Sequence, residues 1–228
     1  MPVTGRTGQQ ADVASIVSRY VAASASAADR VVGHIQGSLS RVPGSFYRPL
    51  DYVVADAQLA ATRAPDKGGA QFALMNRGGI RTYFEPGSDG SVTYGQIFAL
   101  QPFGNTVSVI AISGADLRAG LEHALGREDV DAQKAMLIPS ANLHYSFDYS
   151  RHAGSRLVDL TLDGKPIDPA ATYRVAANNF IASGGDGFTF LAKGKPVGGG
   201  TNDLDALETY IAKGIVTPQD KRVQNLTP

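Results

Sequence analysis

The chain contains no cysteine and carries no net charge. Its 228 residues include 21 lysine and arginine residues and 21 aspartate and glutamate residues. The lack of cysteine excludes disulfides, iron–sulfur clusters, thiolate zinc sites and cysteine nucleophiles, and it leaves the redox compartment open. The balanced charge argues against a nucleic-acid or membrane-surface binder, because both need a basic excess.

Long apolar runs are also missing. No segment approaches the ~20 residues that cross a bilayer, and residues 1–10 lack the hydrophobic region of a signal peptide. We therefore expect no membrane span and no signal peptide in this chain. Hydrophobic residues still make up 43% of the sequence, which is enough for a sizeable core.

Apolar periodicity and capping residues predict the helices. Pro49 suits the first turn of a helix, Ser113 with Asp116 resembles a capping box, and Gly126 suits a helix end. We predict helices at 11–23, 49–64, 114–126 and 203–213, and a helix-like segment at 95–100.

Strand-like runs alternate with these helices. They lie at residues 31–35, 72–75, 106–112, 143–148, 157–162 and 173–177, and Asp163-Gly164 supplies a hairpin turn after the fifth run. The alternation predicts a mixed α/β (α+β) domain. We expect one compact domain at 31–228, preceded by an N-terminal tail and a connecting helix at 1–30.

Three glycine-rich segments beside predicted strands carry side chains suited to a ligand: 76–81, 101–105 and 179–188. Together they supply arginine for phosphate, phenylalanine for a base and aspartate for ribose hydroxyls. Taken singly, each has a structural alternative: a tight turn with solvated arginines, a core position for Phe103, and a turn cap at Asp186. The signature phosphate loops G-x-x-x-x-G-K-[ST] and G-x-G-x-x-G are both missing.

Other chemistries are poorly supported. The four histidines are scattered without metal-ligand spacing, so we predict no metal site. Ser183 lacks the G-x-S-x-G context of a hydrolase nucleophile. Two carboxylate pairs, Glu128 with Asp129 and Asp203 with Asp205, are interpreted as solvated charges at helix ends.

Five ordered motifs resemble the C-terminal domain of the 5'-nucleotidases, also called UDP-sugar hydrolases. They are NRGGIR at 76–81, the segment 95–105 that ends in QPFGN, SGADLRAGLEHAL at 113–125, GSR at 154–156 and NFIASGGDGF at 179–188, and ADAQ at 55–58 fits the same pattern. The resemblance covers about residues 31–213. It implies a four-layer α/β/β/α sandwich that binds the nucleoside.

In that family an N-terminal metallophosphatase domain holds two divalent metals, and its D-x-H, G-D-x-x-D and G-N-H-[DE] motifs do not occur here. The resemblance implies that this chain is the substrate-binding part of a two-metal phosphohydrolase of nucleotide catabolism. Residues 11–25 then form the end of a linker helix. The chain alone would have no catalytic residue, metal or cofactor and no activity. Its partners would be a nucleotide substrate and the metallophosphatase domain, in the periplasm or at the cell surface.

The resemblance also implies which side chains hold the nucleoside. The implied contacts are base stacking by Phe103 and Phe180, ribose binding by Asp186, ribose and phosphate binding by Arg81, and polar contacts from Asn76 and Asn105.

The chain departs from the family pattern before the ADAQ segment. Residues 47–53 replace the usual E-S-x-x-G-N-L, and a second substrate arginine is missing near Phe46, where Arg48 or Arg41 is the candidate substitute. Arg77 fills a position that is commonly glycine or proline, so its role is open.

Two alternatives and the substrate also stay open. One alternative is a stand-alone nucleotide- or small-ligand-binding module without hydrolase activity. The other is a purely structural role, in which both phenylalanines are buried and no pocket exists. The substrate could be a nucleoside monophosphate, a cyclic nucleotide or a UDP-sugar, and the base is undetermined.

Overall fold

A five-stranded mixed sheet lies at the centre of the fold, which a computed structural model describes for residues 10–40, 46–127 and 136–228. The described strands are β1 (Val31–Gln36), β2 (Phe72–Asn76), β3 (Ser91–Thr93), β4 (Thr106–Ser113), β5 (Leu137–Pro139), β6 (Leu143–Phe147), β7 (Leu157–Leu162), β8 (Lys165–Pro166), β9 (Thr172–Asn178), β10 (Lys195–Asn202), β11 (Ile215–Val216) and β12 (Val223–Asn225). The described α-helices are α1 (Ala11–Ala28), α2 (Pro49–Thr62), α3 (Tyr94–Leu100), α4 (Gly114–Gly126), α5 (Asn179–Ala182), α6 (Thr189–Ala192) and α7 (Asp203–Ile211).

The strand order of the central sheet brings the loops after β2 and β9 together, at the edge formed by the carboxyl ends of these strands. The order is β10-β4-β9-β2-β5, and β2 runs parallel to β9 with Phe72 opposite Val175. Because the two strands are parallel, the segments that follow them leave the same side of the sheet. Two smaller sheets, β11-β1-β3 and β12-β6-β7-β8, lie outside this one.

Both faces of the central sheet are covered. Side chains alternate along a strand, so on β4 Ile110 joins a core with α4 and the four-stranded sheet, while Val109 joins a second core with α2 and α7. A third core fills the space between α2, α3, α7 and the three-stranded sheet. The mixed α/β (α+β) fold predicted from the element pattern is therefore confirmed, together with the layered sandwich that the family resemblance implies.

Most predicted elements are present with bounds shifted by a few residues. The hairpin turn at Asp163-Gly164 is confirmed: both residues have positive φ, of 50° and 74°, and Leu162 pairs with Lys165. The sequence analysis missed β10, whose segment contains Pro196 and consecutive glycines. It forms the edge of the central sheet, where proline is tolerated because one side of the strand needs no partner.

Helix α1 is longer than predicted and buries none of its residues. Its apolar stripe is at least half exposed at Val13, Ile16, Val17, Tyr20 and Val21. Among the described residues, no helix combines the length and apolar character needed to cross a membrane.

Candidate functional site

The candidate site is a cavity of about 410 Å³ at the edge of the central sheet where β2 and β9 end. Its volume falls in the range of small-molecule pockets. All six side chains named from the sequence line this cavity, together with Asn178 and two glycines. The lining residues are Asn76, Gly78, Gly79, Arg81, Phe103, Asn105, Asn178, Phe180 and Asp186.

Two phenylalanines on different elements form the aromatic part of the lining. Phe180 lies in α5 directly after β9, and Phe103 lies in the loop between α3 and β4. Their side chains are 46% and 55% exposed. The core position for Phe103 and the purely structural alternative are therefore both wrong, because exposed rings beside a cavity leave their faces accessible to a ligand.

A hydrogen-bonded chain of buried amides holds the acid of the site. The Asn178 carboxamide nitrogen donates to Asn76 Oδ1 over 2.8 Å, and Asn76 Nδ2 donates to Asp186 Oδ2 over 2.6 Å. Both asparagines are 1% exposed, while Asp186 faces solvent. The sequence analysis overlooked Asn178, although an asparagine directly before a helical segment is a typical N-cap.

Close contacts in the site leave little room for a side chain at Gly78 and Gly185. A Cβ at Gly78 would lie 2.8 Å from Asp186 Oδ2, and one at Gly185 would lie 2.6 Å from the Phe180 carbonyl oxygen. Asp186 itself adopts a positive φ of 54°, a conformation that aspartate tolerates better than most residues. The glycine-rich sequence therefore lets the acid and the aromatic segment approach the cavity closely.

Arg81 lies at the mouth of the cavity over one of the aromatic rings. Its guanidinium carbon is 5.6 Å from the centre of the Phe103 ring, and its Nη1 donates to the Gly78 carbonyl over 3.2 Å. The side chain is exposed, so its remaining donors are available to an anionic ligand.

Arg77, whose role was open, points into the protein core. Its Nε lies 3.3 Å from Asp51 Oδ2, and its Nη2 donates to the Phe46 carbonyl over 2.8 Å. Burial lowers the pKa of the Arg77 guanidinium, and the negative charge of Asp51 opposes this shift. Arg77 therefore contributes to packing between β2 and α2, away from the cavity.

Of the two candidate substitutes for a second substrate arginine, Arg48 is described by the structure and does not line the cavity. Arg48 donates to the Tyr83 hydroxyl over 3.1 Å, and its guanidinium carbon lies 5.9 Å from the centre of the same ring. Arg41 lies outside the described residues.

Asn105 is half-buried and contacts a buried acid behind the cavity. Its carbonyl accepts from the Asp203 backbone N–H over 2.9 Å. Asp203 is 2% exposed. Burial raises the pKa of this carboxyl group to about 6, although a hydrogen bond from the Asn105 side chain opposes the shift.

The interpretation of the paired carboxylates was therefore wrong for Asp203. This residue is buried because it begins α7 directly after β10, which pairs with β4 of the central sheet. Asp205, two residues further along the helix, is exposed as predicted. Glu128 and Asp129 lie outside the described residues.

Asp56 of the ADAQ motif has a structural role. Its two carboxylate oxygens accept from the guanidinium group of Arg222, each over 2.8 Å, and both side chains are buried. Burial raises the pKa of Asp56, and Arg222 opposes the shift. The pair joins α2 to the segment before β12.

The described residues offer neither a metal centre nor an activated serine. No group of three or more histidine, cysteine, aspartate or glutamate side chains among them is arranged to hold a metal ion. The Ser183 hydroxyl donates to the Asn179 and Phe180 carbonyls, over 2.9 Å in each case. This serine stabilises the end of α5.

Fold and cavity together define a mixed α/β domain with a small-molecule-sized pocket at the edge of its central sheet. Residues 9–193 match the family described as the 5'-nucleotidase, C-terminal domain, and the chain belongs to this family. The resemblance drawn from the ordered motifs is thereby confirmed at the level of the family.

Individual relatives are considerably longer than this chain. It is 31% identical over 180 residues to the trifunctional nucleotide phosphoesterase protein YfkN of Bacillus subtilis (strain 168), a match that covers 75% of this chain and 11% of that protein. It is 35% identical over 152 residues to protein UshA of Escherichia coli (strain K12), covering 65% and 25% of the two chains. The 5'-nucleotidase precursor of Thermus thermophilus superposes with a TM-score of 0.80 at 30% identity, covering 94% of this chain and 43% of that one.

Proposed function

We propose that this domain binds the nucleoside part of a nucleotide in the cavity at the edge of the central sheet. The observation that carries the proposal is that two exposed phenylalanine rings line one cavity together with an acid, an arginine and three asparagines. In this arrangement Phe103 and Phe180 stack on the flat π-face of the base, a contact that every base can make.

The polar residues then hold the rest of the ligand. Asp186 accepts hydrogen bonds from ribose hydroxyls, and its fixed partner Asn76 supports this position. Arg81 supplies charged donors toward ribose and phosphate, and Asn105 contacts the base. Exposure of Asp186 and Arg81 favours these roles, because each keeps hydrogen-bonding capacity that a buried ion pair would consume.

The wider proposal is a division of labour in a two-metal phosphohydrolase of nucleotide catabolism. The two divalent metals belong to an N-terminal metallophosphatase domain of the same parent protein, as the family of this C-terminal domain implies. No hydrolytic step is assigned to this chain. Its contribution is to position the substrate, which lowers the entropic cost of the reaction. The greater length of the relatives agrees with a partner domain, and we propose a periplasmic or cell-surface location for the parent protein.

A stand-alone binding module without hydrolase activity is the alternative. Both proposals need the same cavity, so ligand binding by this chain does not separate them. A hydrolysis assay of the parent protein separates the two proposals. A raised KM for AMP in the Phe103→Ala/Phe180→Ala variant of that protein supports the division of labour. A parent protein that binds AMP without releasing phosphate supports the stand-alone module.

Calorimetric titration of the purified chain with adenosine, AMP, UMP and UDP-glucose tests nucleoside binding. We expect saturable binding by the wild type and at least a roughly thirtyfold loss in the Phe103→Ala/Phe180→Ala variant, because stacking contributes roughly 1–3 kcal/mol for each ring removed. Phe98→Ala is the matched control, since Phe98 is also 51% exposed but does not line the cavity.

The ranking of the four ligands will identify the base and the substrate class. The proposal is wrong if the folded wild-type chain binds none of them at millimolar concentration. It is equally wrong if the double variant binds as tightly as the Phe98→Ala control.

A further inference from the structure

We propose that Asn178 is a positioning residue that aims the Asp186 carboxylate and thereby sets a preference for ligands with free ribose hydroxyls. The inference deepens the proposed function and rests on it. Asn178 lines the same cavity, and the sequence motifs assigned it no role.

Asn178 uses both ends of its carboxamide. Its oxygen accepts from the Ile181 backbone N–H over 3.0 Å, which caps α5. Its nitrogen donates to Asn76 Oδ1 over 2.8 Å and contacts the Met75 sulfur at 3.4 Å. The side chain is 1% exposed, so water cannot easily replace these contacts.

The bond to Asn76 determines how that second amide faces the acid. With Asn76 Oδ1 occupied by Asn178, the Asn76 nitrogen is directed at Asp186 Oδ2, 2.6 Å away. Loss of the Asn178 donor would leave a buried acceptor unsatisfied, which is costly enough to make Asn76 rotate or shift. The Asp186 carboxylate would then lose the donor that fixes its direction.

The same amide also links the acid to the aromatic lining. Phe180 lies in α5, whose first turn is capped by the Asn178 oxygen, while the Asn178 nitrogen supports Asp186 through Asn76. One buried side chain therefore sets the spacing between the base-stacking ring and the ribose-binding acid. Misplacement by about 1 Å in such a constellation is enough to weaken binding strongly.

Replacing Asn178 with serine separates the two roles. Serine is a good N-cap, so the variant keeps an acceptor for the Ile181 N–H. Its shorter side chain does not reach Asn76 while it caps the helix. Asn178→Asp is a second variant, because aspartate has the shape of asparagine and caps helices well but lacks the amide donor when ionised.

The experiment compares adenosine with 2',3'-dideoxyadenosine by calorimetry, using the full chain. For the wild type we expect adenosine to bind at least tenfold more tightly, because hydrogen bonds to a charged group are strong. For Asn178→Ser and Asn178→Asp we expect this ratio to fall below about threefold, with the affinity for the dideoxynucleoside changed much less than that for adenosine.

Asn202→Ser is the matched control for loss of an asparagine cap. Asn202 caps α7 by accepting from the Leu204 N–H over 2.9 Å and does not line the cavity. This variant should keep the wild-type preference for adenosine. Melting temperatures of all variants will show whether a loss of binding follows a loss of folding.

Three results would overturn the inference. A wild-type ratio in both Asn178 variants would show that Asn178 does not direct the acid. An equal loss for both nucleosides, in proportion to the fall in melting temperature, would show a structural role alone. If the wild type binds neither nucleoside and no ligand of the nucleotide panel, the proposed function is refuted and this inference with it.

Discussion

Arg77 and Arg81 lie four residues apart in one glycine-rich segment, yet they have opposite environments. Arg77 is buried against Asp51 and the Phe46 carbonyl. Arg81 is exposed and lies over the Phe103 ring at the cavity mouth. The comparison shows that two arginines of one glycine-rich motif differ in environment: Arg77 is buried beside an acid, whereas Arg81 keeps donors open to solvent.

A second pair of like residues shows the same contrast. Asp203 and Asp205 both lie in the first turn of α7, but Asp203 is buried behind Asn105 whereas Asp205 faces solvent. Burial raises the pKa of Asp203 to about 6. In both pairs the position in the fold, and not the residue type, decides which member is chemically perturbed.

The largest expected effect is on folding, from Arg77→Ala. Removing this guanidinium takes away a positive charge that lies 3.3 Å from Asp51 Oδ2, and the Asp51 carboxylate is 0% exposed. We expect the free energy of unfolding to fall by about 3–5 kcal/mol, measured by urea denaturation. Asp51→Asn added to this variant should recover part of the loss. A decrease below about 1 kcal/mol would mean that Arg77 is not a structural residue.

The next effect is a pH-dependent gain in stability from Asp203→Asn. Since the pKa of Asp203 is raised to about 6, the folded state holds a proton that the unfolded chain has lost, and the free energy of unfolding rises as pH falls from about 7 to about 4. Asparagine does not ionise, so the variant loses this pH-dependent part of the free energy of unfolding and buries no negative charge at neutral pH. At pH 7.5 we expect the variant to be more stable than the wild type by roughly 2–3 kcal/mol, with the difference vanishing near pH 4.

Thermal denaturation across this pH range measures the difference between the two curves. Asp205→Asn is the control, since Asp205 is exposed, and its curve should follow that of the wild type. A constant offset between Asp203→Asn and wild type at all pH values would contradict the assigned titration.

The smallest effect concerns binding through Arg81. Arg81→Ala should weaken AMP binding about tenfold while changing the free energy of unfolding by less than about 0.5 kcal/mol, because the side chain is exposed. Calorimetry with AMP and urea denaturation measure the two quantities. Arg81→Lys keeps the charge but not the fork of donors and should recover only part of the affinity. An AMP affinity equal to wild type would remove Arg81 from the proposed site.

Local patterns were sufficient for most elements of the fold. The periodic helices are present with bounds shifted by a few residues. The Ser113 cap, whose side chain accepts from the Asp116 N–H, and the Asp163-Gly164 turn are present as predicted. These features depend on neighbours within a few residues, so the sequence contains the necessary information. Strand β10 was missed because its proline and glycines disfavour a strand locally and only pairing with β4 stabilises it.

The sequence motifs predicted the side chains that line the candidate site, but not the buried hydrogen bonds that hold Asp186 in place. Phe103, Phe180, Asp186 and Arg81 belong to recognisable segments, and the structure brings them to one cavity. Asn178 gave a cap signal without any sign that its nitrogen would reach Asn76, which is distant in sequence. Contacts between residues a hundred positions apart are decided by strand pairing, not by local pattern.

The amino-acid sequence by itself therefore determined the periodic elements, the family and the residues of the ligand-type motifs, because each depends on short-range order along the chain. The tertiary structure alone decided that Arg77 is buried, that Asp203 is shielded from water, and that Asn178 supports Asp186 through Asn76. The physical reason is that burial and hydrogen-bond partners arise from packing between distant segments. Residues of the same type therefore have different environments in the folded protein.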